Sequence, residues 1–225
     1  MSTAKNTWQE ATAPIWRNNV ALAQLLGLCP LLAVTTSLVN GLALGVATAA
    51  VVLVSSTLMA VLRPVLVPAL RLPLSLLILS ALATCIDLFG EALFYDLHEA
   101  LWIFVPLIAV NSGVVAHTSN VASRRGVAFT LLSALATGLG FLFALVALGA
   151  LREVLGRGTL FAGVELLGGE GSGWITLDLP FDGMLVAVLP PGAFFGIAVL
   201  LALRNRLLAA RAPASADVPR GESAQ

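Results

Sequence analysis

Charge is scarce in this sequence. Only 11% of its 225 residues are Asp, Glu, Lys or Arg, against about 25% in soluble domains. The scarcity excludes a soluble globular domain. Twelve basic residues balance twelve acidic ones, which argues against nucleic acid as a partner. Cysteine is nearly absent: Cys29 and Cys85 are the only two. Both fall in apolar runs, where the ordinary role of a thiol is that of a small packed hydrophobe. The two histidines, His98 and His117, lie at the ends of apolar runs with no Cys/His spacing suited to zinc. No glycine-rich phosphate loop follows a strand, and no nucleophile–base pair stands out, so the sequence gives no reason to expect nucleotide binding. The first 19 residues are polar and no small-residue cleavage site follows the first apolar run, so no signal peptide is expected.

Apolar residues are what the chain has in quantity, at 59%. A membrane span needs about 20 mostly apolar residues, and six stretches qualify: Val20–Val39, Leu42–Leu62, Leu72–Phe94, Ala100–Ala116, Val127–Leu151 and Met184–Leu203. The expected fold is therefore an all-α integral membrane protein. Residues 1–19 form an N-terminal segment, 20–205 the six-helix membrane domain, and 206–225 a tail expected to be disordered. Asn40 and Gly41 are expected to turn the chain between the first two spans, and a Gly-rich, acidic loop from Arg152 to Gly183 separates the last two. Ten of the twelve basic residues fall on the side that carries both termini, leaving Arg152 and Arg157 opposite among seven acidic residues. That asymmetry predicts cytoplasmic N- and C-termini.

The first span carries a proline at its middle. Pro30 follows Cys29 directly, and an interior proline removes a backbone donor and clashes with the preceding turn. Backbone groups freed in hydrocarbon must be satisfied by protein or by a lined cavity, so a break at this depth marks a candidate site. The string Cys29 to Thr35 resembles Val105 to Asn111 in the fourth span, which also contains a proline, Pro106. Three spans per half would make the halves run in opposite directions, with a site at their interface. Such a string also recurs by chance in apolar helices. Polar residues at membrane depth are few: Gln24, Thr35, Thr36 and Ser37 in the first span, Asn111 and Ser112 in the fourth, Asp87 and Glu91 in the third. An intramembrane carboxylate such as Asp87 is a candidate functional group. Its alternative is a water-accessible position near the outer interface.

Asn18 and Asn19, the run from Gln24 to Thr35, and the stretches 103–108, 148–153, 156–161 and 189–194 together resemble the E-subunit family of Rnf (Rsx) ion-translocating electron-transport complexes. That family is similar to the D subunit of the sodium-translocating NADH:quinone reductase. The resemblance runs in order from about residue 17 to about 205. It implies six helices in two inverted three-helix repeats, with the first and fourth helices broken. It also implies a bacterial inner-membrane location and a homologous, oppositely oriented partner, Rnf A, beside the other subunits B, C, D and G. The complex moves electrons between ferredoxin and NAD and couples this to ion translocation, so the chain is a translocase subunit and not catalytic alone. Within the membrane, an iron–sulfur cluster ([2Fe–2S]) is shared between the two homologous subunits, each supplying two cysteines.

Carried over, the first cysteine falls on Cys29. The second falls on Ser112, where the family's thiol is replaced by a hydroxyl. Thiolates are the soft ligands that iron–sulfur clusters select. The replacement leaves three readings: Ser112 takes the ligand position, which is the favoured one, Cys85 substitutes for it, or the site lacks its usual cluster. A redox centre near mid-membrane would divide an electron transfer across about 30 Å of hydrocarbon into two shorter steps. Two rival classes remain open from the residues alone. One is a secondary transporter or channel subunit using the broken helices as an ion path, and the other is a scaffold that carries neither electrons nor ions.

Overall fold

The computed structural model describes residues 10–15, 18–93, 95–122, 125–161, 177–178 and 183–211. The start of the N-terminal segment, most of the loop between the last two spans, and the tail from 212 lie outside them.

Apart from a two-residue antiparallel pairing of β1 (Thr159–Leu160) with β2 (Leu177–Asp178), regular structure among the described residues is helical. The helices are α1 (Leu28–Val34), α2 (Leu38–Leu62), α3 (Arg71–Leu93), α4 (Tyr95–Leu101), α5 (Ser112–Ala116), α6 (Val127–Arg157), α7 (Leu185–Val188) and α8 (Pro190–Arg211). Four are long and apolar enough to cross a membrane: α2, α3, α6 and α8, the first two extended by 3₁₀ turns. A fifth crossing arises if α4 and the segment Val105–Val121, bent by 65° from it, are taken as one span.

The centre of the molecule is the α2–α6 pair. These two helices are half buried, while only 22% of the α3 and α8 spans is. Small residues allow the close approach, as expected where lipid removes the hydrophobic drive between helices. A methyl group added to Gly41 would lie 2.9 Å from the Leu145 carbonyl oxygen, and one on Gly149 would lie 3.0 Å from that of Ser37. One apolar cluster, including Val34, Leu44, Leu79 and Ile108, joins α1–α5. A second, including Leu31, Phe141, Leu148 and Ile197, joins α1 to α6 and α8. Half-buried or exposed apolar side chains such as Leu77, Phe89, Phe195 and Val199 remain on the outer helices, which present lipid- or partner-facing surface.

The first expected span differs from its sequence reading. Residues 20–39 do not form one helix: a turn-rich segment leads to Gly27, a seven-residue helix follows, and α2 begins at Leu38. Asn40 and Gly41, expected to turn the chain, lie instead in the first turn of α2. The reversal comes earlier, at residues 35–37. Seven residues span about 10 Å, a third of the hydrocarbon thickness. Pro30 does not kink a long helix, because it sits in the first turn of a short one. Backbone N–H groups there lack intrahelical partners in any case, so the proline costs no bond. Pro106 lies in a 3₁₀ turn, Val105–Ile108, before α5 begins. The two similar strings therefore occupy different local positions, one within a half-helix and one upstream of it.

Candidate functional site

The turn-rich segment is held by Asn19, which is 1% exposed. Its Oδ1 accepts from the N–H groups of Ala21 and Leu22 at 2.9 and 3.0 Å. Its Nδ2 donates to Ile15 O and, across 121 residues, to Gly140 O at 2.7 Å. The chain then reaches Gly27 at φ 72°, the left-handed region, which caps α1. Asn111 caps α5 by accepting from Gly113 N–H at 3.0 Å.

These two caps meet. Gly27 N–H donates to Ser112 Oγ at 2.9 Å, and the Asn111 side chain lies directly over the Gly27 Cα, where any Cβ would collide with Oδ1. The two interruptions that stood 85 residues apart in sequence form one junction. Cys29 and Ser112, in the first turns of α1 and α5, are both exposed on the isolated chain. Asn111 Nδ2 is buried over Gly27 with no hydrogen-bond partner. Cys85 is a free, exposed thiol on the peripheral helix α3. Among the described residues, no three His, Cys, Asp or Glu side chains come together to hold a metal.

Other polar residues singled out from the sequence serve the backbone. Thr35 Oγ1 donates to Leu31 O at 2.6 Å, and Ser37 Oγ caps α2 by accepting from Asn40 N–H. Gln24 is exposed and donates to Asn18 O. Asp87 Oδ1 meets His98 Nε2 at 2.8 Å across the α3–α4 connection, both groups partly exposed. Glu91 is exposed on the same helix.

Two features escaped the sequence reading. The fifth span runs on from Leu151 to Arg157, so Arg152 and Glu153 are not loop residues. They are buried, 2% and 0% exposed. Arg152 donates to Leu32 O and Thr35 Oγ1 at 3.1 and 2.8 Å beside the end of α1. It also donates to Ala187 O at 3.1 Å and to Val188 O at the end of α7. Glu153 Oε2 accepts from Leu38 N–H, the first of α2, at 2.7 Å. The signal available was the pairing of opposite charges at the end of an apolar run, which equally marks a helix leaving the membrane. His117 is the second: it is buried, its Nδ1 3.0 Å from Ser56 Oγ and its Nε2 3.0 Å from Ser133 Oγ. It borders a cavity of about 610 Å³ that also touches Asn18, Gln24, Gly113, Asn120 and Thr137.

The fold and junction define a class: a multi-pass helical membrane protein in which two interrupted segments are pinned together at their breaks. Residues 7–201 match the family described as Rnf-Nqr subunit, membrane protein, and the chain belongs to that family. A relative from Pseudomonas paraeruginosa, named as the E subunit of an ion-translocating oxidoreductase complex, is 45% identical over 211 residues, covering 91% of this chain and 88% of the relative. Proteins of the same name from Shewanella frigidimarina and Haemophilus ducreyi are 44% and 42% identical, covering 87% and 85% of this chain and 85% of each relative.

Proposed function

We propose that this chain is the E-type membrane subunit of an Rnf complex, which couples electron transfer between ferredoxin and NAD to ion translocation across the bacterial inner membrane. The observation that carries the reading is the bond from Gly27 N–H to Ser112 Oγ. It draws Cys29 and Ser112 to one exposed junction, where a second chain can reach both. We read the two half-helix starts as belonging to two inverted three-helix halves, with cytoplasmic termini, facing a homologous A subunit. Subunits B, C, D and G complete the assembly.

The junction fits a shared iron–sulfur group in part. Cys29 is a free thiol facing outward, the soft donor that iron takes. Asn111 Nδ2 is a buried donor without a partner, suited to a sulfur acceptor. Ser112 departs from a thiolate set: its Oγ already accepts a backbone N–H, which would favour loss of its proton without making it soft. When bound, a [2Fe–2S] cluster supplies a one-electron redox centre. The residues of this chain hold the junction closed, present the thiol and leave the remaining ligand positions to the partner.

Electron paramagnetic resonance of the purified complex tests this. A cluster signal present in the wild type and lost in Cys29→Ala, with subunit content unchanged, is expected. Ser112→Cys should retain the signal with a shifted midpoint potential, and Cys85→Ala should leave it alone. A signal indifferent to Cys29→Ala would overturn the assignment. The polar cavity beside α5 and His117 favours a second reading, in which the chain itself lines an ion path. Ion flux through the isolated subunit in liposomes, without redox partners, would support it.

A further inference from the structure

We propose that Arg152 and Glu153 are positioning residues that hold the half-helix bearing Cys29, an inference that rests on reading the junction as the redox site. A helix of seven residues is too short to be stable alone, so α1 takes its place from what grips its ends. Its start is held by Asn111 and Ser112. At its other end stands Arg152, which bonds Leu32 O and Thr35 Oγ1 with one nitrogen, Nη1, and reaches Ala187 O and Val188 O with the other two. One guanidinium thus serves carbonyls released where two short helices stop, α1 and α7.

The next residue does the converse. Glu153 bonds the Leu38 N–H at the start of α2, so cation and anion bracket the turn at 35–37. Each sits at the helix end whose partial charge is opposite to its own. Polar side chains buried this fully need such partners. The fork geometry of arginine is needed for this many acceptors at once, and lysine cannot reproduce it.

Hydrogen–deuterium exchange on the full complex tests the hold independently of any cluster. Arg152→Gln and Glu153→Ala should speed exchange over residues 28–38 about tenfold or more, the effect of ~1.4 kcal/mol on the local opening balance, while residues 74–90 stay as in the wild type. Glu153→Gln, which keeps an acceptor for Leu38 but loses the charge, and Arg152→Lys should both fall between these variants and the wild type. The cluster signal should weaken or shift in potential in the same order. Unchanged exchange at 28–38, or exchange rising equally everywhere, would overturn the positioning role. So would locally faster exchange with the wild-type signal and potential intact. Locally faster exchange in a complex whose wild type carries no cluster would uphold the hold on α1 and overturn the redox reading of the junction instead.

Discussion

Gly27 adopts φ 72° with the Asn111 amide pressed against its Cα. A side chain there meets two obstacles. The left-handed conformation costs an L-residue about 1–2 kcal/mol, and the new methyl displaces Asn111 from its cap. Gly27→Ala should therefore lower the stability of the purified subunit by at least about 1–2 kcal/mol, read as an earlier thermal transition in detergent. An unchanged transition would mean that the junction is slack. Ser112→Ala is the milder companion: it removes the acceptor for Gly27 N–H and should cost about 1 kcal/mol. Nothing in the local sequence announces Gly27, because its partner lies 85 positions away; Ser112 stands out as a hydroxyl in an apolar run, but not as the acceptor for that glycine. Cys29 was legible for a different reason, as one of two thiols in an apolar chain, set beside a proline.

At the scale of elements, spans without an interruption could be read from run length. Helices α2 and α6 contain the stretches expected of them, and α3 covers its own as far as Leu93. The first span could not be read this way, because composition counts apolar residues but does not record where the backbone reverses. Asn19 shapes the entry to α1 through four hydrogen bonds, one of them to Gly140 on α6. Asn19→Ala leaves several of these groups buried and unmet, at about 1–3 kcal/mol for each that water cannot reach. It should loosen residues 18–27, seen as faster proteolysis of that segment. Asn19→Asp keeps the acceptor for Ala21 and Leu22 but loses the amide donor to Gly140, so it should fall between the two. Arg152 and Glu153 were misread by the same limit. A charged pair ending an apolar run looks like a helix leaving the membrane, and only the fold shows three other helix ends converging on it. The two similar Pro-Leu-Ile/Leu-Ala-Val strings lie in the segments that meet at the junction, but in different local positions, since Pro30 lies inside α1 and Pro106 lies before α5.

For the whole molecule, orientation follows from charge placement, and it decides which face of the junction meets which side of the membrane. Lys and Arg are held back from crossing, which predicts a cytoplasmic position for the side rich in them. Arg63, Arg71, Arg125, Arg204 and Arg206 lie at one set of helix ends, while Asp96, Glu99 and Arg157 lie at the other. Arg152, counted with the outer loop when only sequence is considered, is a buried structural charge, so it does not weaken the asymmetry. Alkaline phosphatase fused after residue 211 should accordingly be inactive, and fused within 162–176 it should be active, with a cytoplasmic reporter giving the reverse. The opposite pattern would invert the subunit and place the cavity beside His117, which is flanked by Glu10 and Arg125, on the outer face. The shallow burial of α3 and α8 calls for a companion measurement on the assembled complex. If a partner covers α3, thiol reagents should label Cys85 on that helix more slowly in the complex than in the isolated subunit. Equal labelling would assign that face to lipid.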